Sequence, residues 1–277
     1  MNRKQLHALY GLKWNPFLPE IPPEALVNDE PTKRFCWRVE QVVMDGGFAM
    51  VTGEPGTGKS VLLRQLQRHL GEIPELTVRT LTRPQSHIRD FYREMAELFA
   101  VPMKPSNRFS GFTGLRTQWH SHIKASLLRP VLLLDEAQET PDDVLSELRL
   151  LSSVDLDSRN ILAVVLAGDG RLPGKLRGSA LLPLESRIRT RQHLDKRPPE
   201  EMAALLREIL TQAGNAALMT EKLIQTVAEH GMGNARAMMM IGNELLEVAA
   251  QKDARQLDED LFFEVFRDRV RRRKGTK

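Results

Sequence analysis

The sequence predicts an α/β fold: a parallel five-stranded sheet covered by helices, followed by a small helical domain. Three observations predict it. Short apolar runs, "FAMVTG", "LTVRTL", "VLLLDE" and "ILAVVLAG", alternate with helical patterns, as expected of strands covered by crossover helices. The segment "DKRPPEE" then breaks the alternation, with Pro198 and Pro199 where a helix can begin and Glu200 and Glu201 suited to its first turn. Beyond it the spacing predicts only helices, over about 200–213, 220–230, 234–251 and 257–272, punctuated by Gly214, Gly231 and Gly233. The chain is therefore divided into an arm at 1–30, a core at 31–197 and a helical domain with a basic tail at 198–277.

Taken in order, the arm contains "NPFLPEIPPE" and reads as an extended, proline-punctuated segment. Trp14 and Phe17 within it suit either apolar anchoring or the flanks of an adenine ring. A helix is expected over "TKRFCWRVEQVVMDG", with Phe35, Val39 and Val42 on one face. The four apolar runs follow as strands, and "TRQHLD" supplies a short fifth. In the helical domain Met238 to Met240 are expected to pack inside.

Composition bounds the function. Apolar residues make up 41% of the 277, enough for a buried core. No apolar run reaches the ~18 residues that span a bilayer, and "MNRKQLHALYG" lacks the apolar stretch of a secretory signal. Cys36 is the single cysteine, so no internal disulfide forms. A soluble, cytoplasmic protein without a membrane partner is expected. The formal charge is only +4, but eight Lys or Arg lie between Arg171 and Arg197 against Glu185 and Asp195. From Arg267 to Lys277 seven basic residues stand against Asp268. Such clusters suit a polyanion, and they equally suit a solvated surface.

The chemistry begins at "FAMVTGEPGTGKSVLL". Gly53, Gly58, Lys59 and Ser60 fall at the spacing of a phosphate-binding loop, between an apolar strand and an amphipathic helix. Glycines let the backbone wrap a phosphate chain, and the helix N-terminus faces its charge. Lys59 would contact the β and γ phosphates of ATP, and the Ser60 hydroxyl would bind Mg²⁺. Glu54, Pro55, Gly56, Thr57 and Val61 complete the predicted nucleotide-binding stretch. The second element is "VLLLDEAQ", a buried strand ending on Asp135 and Glu136. Asp135 would hold Mg²⁺ through its water shell. Glu136 would orient and deprotonate the attacking water, which separates hydrolysis from nucleotide binding alone.

Further candidates carry two readings each. Asp169, ending "ILAVVLAGD", would lie beside the γ-phosphate if its strand sits between the other two; an ordinary strand-to-loop turn explains "AGDG" equally well. Arg236 in "HGMGNARAMMM" could reach the phosphates or form a surface ion pair. Arg187, Arg189 and Arg191 alternate, so an extended segment would set all three on one face. Arg187 is the candidate to be donated across a subunit boundary to the γ-phosphate. A solvated basic edge strand is the alternative.

In this order, "GEPGTGKS", "VLLLDEAQ", "VVLAGD", "LESRI" and "GNARAMM" resemble an AAA+ ATPase of the initiator-like branch. The arm "YGLKWNPF" is similar to the opening of the general secretory pathway A-type family, which includes ATPases encoded beside transposases. The stretch "LESRIRTRQHLDKRPPEE" resembles phage Mu-type transposition ATPases. The resemblance implies strand order 5-1-4-3-2, a C-terminal lid, and rings or helical filaments of the chain. It implies that Arg187 is the trans-acting arginine, Asp169 the sensor after the fourth strand and Arg236 the lid sensor. Many relatives carry an uncharged polar residue where Asp169 stands.

Three functions compete. In the first, ATP drives assembly on duplex DNA and the oligomer recruits or activates a transposase. DNA contacts would be phosphate-directed, with candidates Lys104, Arg108, Arg116, Lys124, Arg189, Arg191 and the tail "RDRVRRRKGTK". In the second, the ATPase assists assembly of an envelope secretion pore. Members of that group carry a spanning helix and a wall-binding region, which counts against it here. The third is a non-hydrolysing switch, against which Glu136 argues.

Overall fold

The computed structural model describes all residues except 1–2, 21, 23–25, 27–28, 103–107, 156–157 and 275–277, and no side chains from 267 onward. By contact density the chain forms two units. One comprises Asn28–Glu54 and Lys59–Leu194, the other Met1–Val27, Pro55–Gly58 and Asp195–Lys277.

The first unit is the α/β layer. Its strands are β1 (Gly47–Gly53), β2 (Leu76–Leu81), β3 (Arg129–Leu134), β6 (Ala163–Gly168) and β7 (Ile188–Leu194), all parallel, in the order β2-β3-β6-β1-β7. Counted as five sheet strands, this is the expected order read from the other edge. The detail that differs is an inserted two-stranded ribbon, β4 (Ser153–Val154) with β5 (Arg159–Asn160).

Strand alternation builds two cores. Phe48, Met50, Leu132, Leu134, Val164 and Leu166 pack on one face beneath α4 (Ile88–Leu98), α5 (Arg108–Ser126) and α6 (Asp142–Ser152). Ala49, Val51, Val131, Leu133, Val165 and Ala167 pack on the other, against α2 (Glu30–Asp45) and α3 (Lys59–Gly71). Asp29 caps α2 by accepting from the Thr32 N–H, and Phe35, Val39 and Val42 are buried as their spacing requires. The register pairs Thr52 with Gly168 and Leu134 with Leu166, so β1, β3 and β6 end together. In α/β sheets that carboxyl edge is where ligands bind.

Helix α5 was not legible in the sequence. It is held by Gly111, Leu115, Trp119 and Ile123, buried on one stripe. After β6 the chain makes two short helices, α7 (Arg171–Leu176) and α8 (Leu182–Glu185), before β7.

The second unit is helical: α9 (Pro199–Gln212), α10 (Glu221–His230), α11 (Ala235–Gln251) and α12 (Glu259–Lys274). Thr220 and Asn234 cap α10 and α11. Met202, Leu206, Leu210, Leu223, Val227, Leu245 and Leu246 form its core. Met238 is buried there, but Met240 is 68% exposed, because neighbouring residues on a helix point about 100° apart.

The arm departs from its extended reading. Residues Arg3–Tyr10 form helix α1, and Tyr10, Leu12 and Phe17 are buried in the helical core. The Tyr10 hydroxyl donates to the Ala254 carbonyl at 2.9 Å. Phe17 lies against Gly242, where a Cβ would come within 2.5 Å of its ring. Phe17 is thus an anchor, and Trp14 is half-buried against the same cluster. Among the described residues, no helix is long and apolar enough to cross a membrane.

Candidate nucleotide site

In the α/β unit the loop after β1 turns back on itself around a lysine. The Lys59 ammonium is buried and donates to the carbonyls of Gly53 (2.9 Å) and Glu54 (3.1 Å). The Ser60 hydroxyl donates to Asp135 Oδ2 at 2.9 Å, which joins the two predicted Mg²⁺ ligands across 75 residues. A hydroxyl beside a carboxylate at a helix N-terminus is a donor set suited to Mg²⁺ with phosphate.

The loop's tip, Pro55–Gly58, counts with the helical unit. Gly56 and Gly58 have φ of +87° and +107°, conformations that other residues adopt only under strain. Asn234 Nδ2 donates to the Pro55 carbonyl at 2.9 Å, and the Arg236 N–H donates to Gly56 O at 3.3 Å. A Cβ at Gly56 would come within 2.1 Å of Asn234 Oδ1, so glycine is required there. The Arg236 side chain is exposed, in the first turn of α11. Within the stretch Thr57 is buried, while Glu54, Pro55 and Val61 are exposed.

Past β3, Asp135 Oδ1 accepts the N–H of Glu136, whose φ of +52° turns the chain into a single 3₁₀ turn, Ala137–Glu139. Gln138 donates from Nε2 to Glu136 Oε2 at 2.5 Å and accepts the Asp169 N–H on Oε1 at 3.1 Å. The Asp169 carboxylate is paired: Arg171 Nε donates to both its oxygens, at 3.1 and 2.9 Å. Arg171 also reaches Glu139 at 2.6 Å. The Arg171 hydrogen bond holds the Asp169 carboxyl below its ordinary range, against a smaller opposing effect of burial.

The three arginines do not share a regular strand face. Arg187 precedes β7 and lies in a turn, its N–H donating to Leu184 O at 3.0 Å. Phe48 pairs with Ile188 and Ala49 with Thr190, which leaves Arg189 as the extra residue of a bulge. Arg191 sits in the regular ladder. Arg189 faces Asp45 at 3.6 Å and Arg191 pairs with Glu185 at 2.8 Å.

Two DNA candidates are hydrogen-bonded to other parts of the α/β unit. Arg108 binds Glu147, which is 3% exposed, through Nε at 3.2 Å and Nη2 at 2.5 Å. Arg116 Nη1 donates to the carbonyls of Leu150 and Ser153, at 2.7 and 2.6 Å. Lys124 is exposed on α5. Lys104 lies outside the described residues, as do the tail side chains. The sequence reading missed Gln138, Arg171 and Asn234. Only Asn234 carried a signal, as a capping residue ahead of an apolar helix.

Residues 43–176 match a family model described as the AAA domain. Over this stretch the chain is similar to the AAA domain. The matched residues include the Ser60–Asp135 pair, Glu136 and Asp169. Over 253 residues, 90% of its length, the chain is 30% identical to general secretion pathway protein A of Aeromonas hydrophila. It spans only 45% of that protein. Among solved structures it resembles the Aeropyrum pernix ORC2 protein, with a TM-score of 0.72 at 17% identity, covering 90% of this chain and 70% of that one. The Aeropyrum pernix ORC1 protein in complex with DNA gives 0.69 at 15% identity, over 91% and 68%. At these identities the two structures establish a shared fold.

Proposed function

We propose that the chain is an ATP-driven assembly switch that works on duplex DNA in transposition. The observation that carries the nucleotide chemistry is the Ser60–Asp135 contact with Glu136 next along the chain. In this reading Gly53 to Ser60 wrap the triphosphate, with Lys59 exchanging loop carbonyls for β- and γ-phosphate oxygens. Ser60 and Asp135 would hold Mg²⁺, which would supply charge neutralisation at the phosphates. Glu136 orients the water and accepts its proton. Arg187 of one subunit reaches the γ-phosphate bound by the next, so ATP favours the oligomer and hydrolysis loosens it.

Duplex DNA and a transposase are the proposed partners. Support comes from the clustered charge at 171–197 and 267–277 and from the fold likeness to ORC1 bound to DNA. The candidates for phosphate contact are Lys104, Lys124 and the tail, with Arg189 and Arg191 if they exchange Asp45 and Glu185 for phosphate; Arg108 and Arg116 would have to leave Glu147 and two main-chain carbonyls. The experiment is imaging of the protein with duplex DNA, with and without a non-hydrolysable ATP analogue. Analogue-dependent coating of the duplex is expected; assembly indifferent to DNA would overturn the DNA role.

The 30% identity to general secretion pathway protein A favours a second reading, assistance to envelope assembly in secretion. It would be supported by nucleotide-dependent oligomers that ignore DNA and bind a secretion component.

A further inference from the structure

We propose that Gln138 is a positioning residue that ties the end of β6 to the carboxylate of Glu136. The inference rests on reading Glu136 as the water-activating base. Gln138 is 7% exposed, and both ends of its amide are used. The Asp169 N–H can only donate, so Oε1 must face it, and Nε2 is then aimed at Glu136 Oε2. The opposite flip would oppose donor to donor and acceptor to carboxylate, losing both bonds.

Three features hold the amide in place. The Gln138 carbonyl accepts from the Lys175 ammonium at 3.1 Å, and the same ammonium binds the Thr140 carbonyl, so the turn cannot swing freely. Gly168 leaves the space that the amide fills, since a Cβ there would lie 2.6 Å from Gln138 Oε1. Glu136 itself is fixed by its left-handed backbone and by Asp135. With Oε2 taken by the amide, Oε1 is the oxygen that meets the water. A shift of the Asp169 main chain therefore reaches the Glu136 carboxylate through a single side chain.

The test compares Gln138→Glu and Gln138→Leu with the unaltered protein. The glutamate keeps the shape and the acceptor for Asp169 but sets a repelling carboxylate against Glu136 in place of the donor; leucine loses both bonds and adds no charge. Each should lower kcat for ATP hydrolysis about tenfold to hundredfold, as expected when a base loses its alignment. Affinity for a non-hydrolysable ATP analogue should change less than about twofold. Gly168→Ala, which displaces the amide, should show the same split. If leucine prevents folding, the glutamate variant still decides. A kcat within twofold of normal in the folded Gln138→Glu variant would overturn the proposal, as would a loss of analogue affinity equal to the loss of kcat. Glu136→Gln separates the two levels. Normal turnover in that variant overturns the base assignment; an inactive Glu136→Gln beside a normal Gln138→Glu overturns only the positioning role.

Discussion

Replacing Arg108 with Ala should destabilise the α/β unit, and the structure sets the size of the effect. Glu147 is 3% exposed and takes hydrogen bonds from the Tyr92 hydroxyl and from two Arg108 nitrogens. Removing the guanidinium leaves a buried carboxylate with one neutral donor. Breaking a buried charge pair costs about 3–5 kcal/mol, but the Arg108 side chain is 61% exposed, so solvent recovers part of the loss. About 2–3 kcal/mol remains. For chains of this size that lowers melting by about 4–12 °C. Calorimetry of Arg108→Ala, Glu147→Gln and the double variant measures it. The double variant should lose less than the sum of the two, because each single change strands the other partner. Melting of Arg108→Ala within about 1 °C of normal would show that the pair does not hold α5 to α6, and would return Arg108 to the candidates for phosphate contact.

Three other outcomes are expected. Lys59→Ala should abolish nucleotide binding, measured by titration with a fluorescent ATP analogue. Arg187→Ala should leave that binding intact while weakening assembly and hydrolysis; sedimentation with the analogue and a phosphate-release assay check both. Gly242→Ala should cost about 1–3 kcal/mol by overpacking, since the new Cβ falls 2.5 Å from the Phe17 ring. Denaturant unfolding and faster proteolysis of the arm would report it.

The sheet and the Asp135–Glu136 edge were legible because continuous apolar runs end on polar residues, a pattern that survives without knowledge of contacts. The order of Gly53, Asp135 and Asp169 then followed from the strands that carry them. What escaped depends on distant partners. Nothing near Arg108 or Arg116 signals that Glu147 lies 39 residues on, or that the carbonyls of Leu150 and Ser153 come within reach. Helix α5 was hidden by Gly111 and Gly114 within a polar sequence, and its buried stripe rests on few large side chains. The two-residue period of Arg187, Arg189 and Arg191 gave no sign that Arg187 lies in a turn before β7 or that the pairing with β1 skips Arg189. Helix α1 was masked by the prolines that follow it.

The carbonyl grip on Lys59 has a consequence for how the loop would receive its ligand. A lysine stem left in solvent must be ordered when it binds, at an entropic cost of up to about 2 kcal/mol. Here that ordering is already complete, so an arriving anion faces an exchange between neutral oxygens and charged ones. The loop would select by strength of negative charge at one point, and a weakly charged tail would leave the ammonium where it lies.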